Sequence, residues 1–166
     1  MGTVISDSMN LKGNVLINVI ENKTGKIVET IENHNLIVKA GRSELIKLLA
    51  GQLGTNTGAV KQCSVGKGGT DIATPFVPIA PTSADTSLLQ AIRKQDIGSI
   101  TMDLASTNPR VTFTTLFNCA DVNSLVNEAA LWFENTTVMF ARYTFKTVPL
   151  EADAGMSMEI IWTIEF

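Results

Sequence analysis

The sequence predicts a mainly β chain: an antiparallel β-sandwich of about seven to nine strands with one short α-helix near residues 42–50. Three observations lead there. Runs rich in β-branched and aromatic residues recur along the chain, separated by Asn, Gly and Pro turn signals at the spacing of a sandwich. One stretch only, residues 43–50, shifts to a helical period. Hydrophobic residues make up 45% of 166, enough to bury a core within one domain over 1–166, with 1–10 as an N-terminal arm.

Leu16, Ile17, Val19 and Ile20 form one apolar run, and Ile27, Val28 and Ile31 form the next. Between them, Glu21-Asn22-Lys23-Thr24-Gly25 offers Asn and Gly for the positive φ angles of a tight turn. A hairpin is expected over 11–32. Leu36-Ile37-Val38 follows as a third apolar stretch. Leu45, Ile46, Leu48 and Leu49 then define a short amphipathic helix, started by Gly41 or Ser43 and stopped by Gly51 or Gly54. So short a helix must lie on a sheet to persist. Residues 51–86 read as a long loop, with Gly66, Gly68, Gly69, Pro75, Pro78 and Pro81, and one strand near Cys63-Ser64-Val65. Residues 83–89 are expected to begin one more helical turn.

The C-terminal half reads as strands throughout. Residues 97–102 and 111–117 form a hairpin across Ser106-Thr107-Asn108-Pro109, and strands follow at 128–133, 138–148 and 156–166. The last has the cleanest alternation: Met156, Met158, Ile160, Trp162, Ile164 and Phe166 share one face. Phe113, Trp132, Phe140 and Phe145 are its expected neighbours.

Composition excludes several chemistries. Net charge is −3 and charged residues are 17%, so no basic face is available for nucleic acid. His34 is the one histidine, which leaves little for a Ser-His-Asp or Cys-His site and nothing for a multi-histidine metal site. It lies between two asparagines, where a backbone-satisfying role is expected. Cys63 and Cys119 are expected to be small buried apolar residues rather than a disulfide. Val65-Gly66-Lys67-Gly68-Gly69-Thr70 has the lysine ahead of its glycines and no helix after them, unlike a phosphate-binding loop. Glu128 and Glu134 stand about 20 Å apart along one strand, too far for a glycosidase pair. No catalytic, cofactor-binding or metal residue is expected, and no cofactor.

Four further expectations concern contacts and location. Glu128 opens the apolar run Ala129-Ala130-Leu131-Trp132-Phe133, and Arg142 interrupts Phe140-Ala141-Arg142-Tyr143, so the two are a candidate cross-strand ion pair that fixes register or makes a contact. Lys67, Thr70, Phe76 and Pro78 in the long loop are candidate contacts to a neighbouring protein. Trp132, Tyr143 and Trp162 are a candidate aromatic platform for a host-surface glycan. No signal peptide opens the chain and no apolar run spans a membrane, so synthesis in a cytoplasm without lipid anchoring is expected.

The order of motifs resembles small virion proteins of tailed bacteriophages. The residues that carry it are Asn35-Leu36-Ile37-Val38-Lys39-Ala40-Gly41, Gly66-Lys67-Gly68-Gly69-Thr70 with Asp85-Thr86-Ser87-Leu88, Asn127-Glu128-Ala129-Ala130-Leu131-Trp132, Ala141-Arg142-Tyr143-Thr144-Phe145, and Ile161-Trp162-Thr163-Ile164-Glu165-Phe166. The resemblance runs from about residue 11 to 166. It implies a β-sandwich structural subunit located in the virion, in the tail, baseplate or fibre-attachment region, and no catalytic residue. The stretch from Thr74 to Pro81 lengthens the loop beyond the family pattern. A surface this poor in charge suits burial against copies of itself and other virion proteins. Capsid decoration and host-surface binding are the alternative roles.

Overall fold

The computed structural model describes residues 11–52, 58–71, 73–74, 76–134 and 136–166; the expected arm 1–10 and Gly54 lie outside them. The order is β1 (Lys12–Glu21), β2 (Lys26–His34), β3 (Leu36–Ile37), α1 (Lys39–Leu49), β4 (Val60–Gly66), β5 (Ala91–Asp96), β6 (Ser99–Asp103), β7 (Arg110–Asn118), α2 (Cys119–Val122), β8 (Ser124–Phe133), β9 (Met139–Leu150) and β10 (Met156–Glu165). Two antiparallel five-stranded sheets result: β2-β1-β10-β7-β6 and β3-β9-β8-β4-β5. The chain is a mainly β sandwich with a short helix at its side.

The core fills the space between the sheets. Val15, Ile17 and Val19 of β1, Phe113 and Phe117 of β7, and Met158, Ile160, Trp162 and Ile164 of β10 meet Leu131, Phe133, Phe140 and Phe145 from the second sheet. Trp162 is fully buried. The alternation of β10 holds through Ile164, while Phe166 lies beyond the strand and is exposed. Trp132 is a correction: it points to the opposite face of its sheet and packs with Val38, Leu88, Ala130 and Met139 in a second, smaller cluster. That cluster explains why β8 is buried on both faces, from Val126 to Phe133. Its outer face lies beneath the loop between β4 and β5, and a doubly covered strand reads as a continuous apolar run.

Three local expectations are also revised. In the β1–β2 turn the positive φ belongs to Gly25, at 68°; Asn22 is not among the positive-φ residues. The helix does not bury Ile46 or Leu49, which are 68% and 83% exposed. Leu48 is 42% exposed as well, and the sheet-facing positions are Gly41, Glu44 and the half-buried Leu45, the i, i+3, i+4 row that starts at the glycine. A Cβ at Gly41 would lie 2.3 Å from the Phe140 carbonyl oxygen, so backbone contact at that point fixes how the helix is turned. Glu44 is buried there beside Lys47 at 2.5 Å. Finally, 83–89 forms no helix. Asp85 instead accepts from the Thr82 amide at 3.0 Å and hydroxyl at 2.6 Å, closing a turn. β5 then follows where no strand was expected.

Candidate functional site

A clasp of buried charge beneath the long loop dominates the outer face of the second sheet. β8 supplies Asn127 and Glu128, and β9 supplies Arg142 and Thr144. Successive residues of a regular strand face opposite ways. Here the β8–β9 register shifts between Val126 and Glu128, and this irregularity allows both Asn127 and Glu128 to address the loop.

Glu128 and Arg142 lie on one face of neighbouring strands, with Ala130 directly opposite Arg142 and Thr144 opposite Glu128. Their ion pair is a diagonal one, 2.7 Å long, with side chains 0% and 4% exposed. The same guanidinium reaches Asp85 of the loop at 2.6 Å. Glu128 also accepts from the amides of Gly68 at 3.0 Å, Leu89 at 3.1 Å and Gln90 at 2.9 Å. A buried carboxylate is stable only when so surrounded. The glycine-rich stretch therefore does hold an anion, and the anion is the chain's own.

Asn127 seats the loop's first foot. Its side-chain Oδ1 accepts from the Gly69 amide at 2.7 Å, and its Nδ2 donates to the hydroxyls of Thr70 at 2.8 Å and Thr147 at 3.3 Å. The glycines are required by proximity: a Cβ on Gly69 would stand 2.1 Å from the backbone carbonyl oxygen of Asn127, and one on Gly66 2.5 Å from the backbone carbonyl oxygen of Gln90. The second foot is held by the Thr144 hydroxyl, which donates to the Ile79 carbonyl at 2.7 Å, and by the Lys39 amide, which donates to Ser83 at 2.8 Å. The two feet meet through the Ile79 amide and Gly69 carbonyl, 2.8 Å apart.

What remains free is the apex. Phe76 is 73% exposed, and Val77 and Ile79 are exposed beside it. Of the four candidate contact residues, Lys67 and Phe76 are outward-facing. Thr70 is half-buried by its bond to Asn127, and Pro78 is exposed while bridging back to Thr70. The sequence alone missed Asp85, Asn127 and Thr144. Asp85 was legible as the acid of a Thr-Ser-Ala-Asp turn; the other two depend on the register shift, which left no pattern.

Burial pushes the Asp85 carboxyl up, but hydrogen bonds from Thr82 and Arg142, with the Arg142 charge, outweigh it and hold the group below its ordinary value. Burial pushes the Cys63 thiol up to about 12, so it remains protonated. Cys63 and Cys119 are both free and buried. His34 is exposed, with its ring Nδ1 2.5 Å from the side-chain Oδ1 of Asn14 and its backbone amide donating to the side-chain Oδ1 of Asn33 at 2.8 Å, so its ring meets a side chain and not the backbone expected of it.

The three aromatics do not form a platform. Trp162 is in the core, and the Trp132 indole N–H donates to the Ser64 hydroxyl at 2.6 Å on the outer face of the second sheet. Tyr143 stacks on Phe145 with ring centroids 5.8 Å apart. It lines a cavity of about 440 Å³ between β2 and the loop. Among the described residues, no group of three or more His, Cys, Asp and Glu is placed to hold a metal ion. No described helix is long and apolar enough to cross a membrane.

No protein-family model matches the chain, and neither a curated protein nor a solved structure matches it.

Proposed function

We propose that this chain is a non-enzymatic structural subunit of a tailed-phage virion, working through protein–protein contacts in the tail, baseplate or fibre-attachment region. The motif order that resembles small virion proteins supplies the setting. The observation that carries the reading is the loop itself. Both feet are fixed to the sandwich by buried polar contacts, while the apex between them presents Phe76 and Val77 to solvent.

A loop that positioned a substrate would be expected to surround a polar pocket with its apex. This loop turns its polar atoms inward and its apolar tip outward, the arrangement of a preformed contact with a neighbouring protein. Its neighbours are copies of the same chain or other virion proteins. No cofactor takes part.

Gold-labelled antibody on purified particles, viewed by electron microscopy, tests the placement. Label on the tail or its tip is the expected result. Label over the shell would move the protein to capsid decoration, and unlabelled particles beside a labelled control would overturn the virion reading.

A further inference from the structure

The sandwich has four sheet edges, β2 and β6 in one sheet and β3 and β5 in the other. Unpaired edges invite pairing with other chains, and proteins guard them with charge, bulges or brevity. β2 carries Lys26, Glu29 and Glu32 and meets β1 across a register shift. β5 carries Arg93, Lys94 and Asp96 and meets β4 across another. β3 is two residues long. β6, Ser99-Ile100-Thr101-Met102-Asp103, has neither Lys, Arg nor Pro, and pairs with β7 in unbroken register.

The core-facing side of β6 is also open. Ile100 lies opposite Phe113 and Met102 opposite Val111, so both share the inner face of the sheet. Yet Ile100 is 44% and Met102 70% exposed, and Leu104 just beyond is exposed as well. The second sheet does not cover this edge.

We infer that β6 is the docking edge for a second copy of this chain, the two strands pairing antiparallel about a two-fold axis through Thr101. In that register Ile100 faces the partner's Met102, Ser99 faces the partner's Asp103, and Thr101 faces the partner's Thr101. All four apolar side chains then share the inner face. No like charges oppose each other, because Asp103 meets a serine and is already balanced by Arg110 at 3.0 Å. The strand is thus complementary to itself, as an isologous interface requires. A five-residue strand is about 17 Å long, so the contact falls below the roughly 800 Å² per partner of a standard interface. The dimer is accordingly concentration-dependent in free solution. The inference rests on the assembly reading in its self-associating part and names the surface that does it.

Sedimentation of the purified full chain over a range of concentrations tests the pairing. The wild type should pass from monomer to dimer. Met102→Lys should raise the dissociation constant by about tenfold or more while leaving the melting temperature unchanged, since the residue is exposed. Thr101→Cys places a cysteine on the axis and should form a disulfide-linked dimer on oxidation. Ile27→Cys, on the exposed side of β2, should not, and the native cysteines are buried. A wild type that stays monomeric, a dimer indifferent to Met102→Lys, or equal cross-linking at both cysteine positions would overturn the inference. Labelled particles together with a monomeric chain would refute this edge and leave the virion placement standing. Unlabelled particles with a dimer joined at Thr101→Cys would do the reverse.

Discussion

Glu128 has no contact with solvent, yet Arg142 and three backbone amides surround it. Removing one partner of such a buried pair costs far more than the pair itself contributes, because the remaining charge is stranded. Glu128→Ala should therefore lower stability by about 3–5 kcal/mol in denaturant unfolding, and speed hydrogen exchange at the Gly68, Leu89 and Gln90 amides. Unchanged exchange at those amides would mean the carboxylate does not hold the loop. Asp85 gives a pH-dependent companion. A folded-state pKa below the ordinary 3.8 means the ionised form is favoured by folding, so its stabilisation is present above that value and is lost as pH falls through the lowered one. The stability difference between wild type and Asp85→Asn should be constant near neutrality and shrink only below pH 3.8. In the core, Trp162→Ala should cost about 3–5 kcal/mol; a small change in melting temperature would show that β10 had been read inside out.

Elements were legible in the sequence where one face of a strand alternates against solvent. β10 announces itself through Met158, Ile160, Trp162 and Ile164, and the β1–β2 and β6–β7 hairpins through their turns. Legibility failed where a third layer intervenes. The loop covers β8, so Trp132 looked like a core neighbour of β10 although it faces the other way. In α1 the positions of Leu45, Ile46, Leu48 and Leu49 suggested a buried stripe, but close backbone contact at Gly41 leaves Ile46, Leu48 and Leu49 exposed and only Leu45 against the sheet. The Glu128–Arg142 pairing was visible from residue type alone; its third member, Asp85, lies 57 residues from Arg142 and needed the fold. At this scale the loop's fit depends on its glycines. Gly69→Ala must displace the backbone carbonyl of Asn127 and should cost about 1–3 kcal/mol in thermal unfolding. A loss near zero would mean the loop's first foot is not tightly seated.

For the molecule as a whole, a sandwich core supplies stability while two places on the surface are left apolar. Phe76 at the loop apex and Met102 on the β6 edge belong to different layers, and each is more than two-thirds exposed. Single exposed apolar residues are ordinary. An apex whose two feet are fixed by the Asn127 and Thr144 side chains, and an edge strand without Lys, Arg or Pro, are features that the proposed assembly would use. The most direct test of that account is incorporation of a Phe76→Asp variant into particles, measured against wild type with both folded to the same melting temperature. The account predicts a variant that folds normally but is depleted from particles at least about tenfold, the change expected when one central apolar anchor is lost. Incorporation equal to wild type would contradict it.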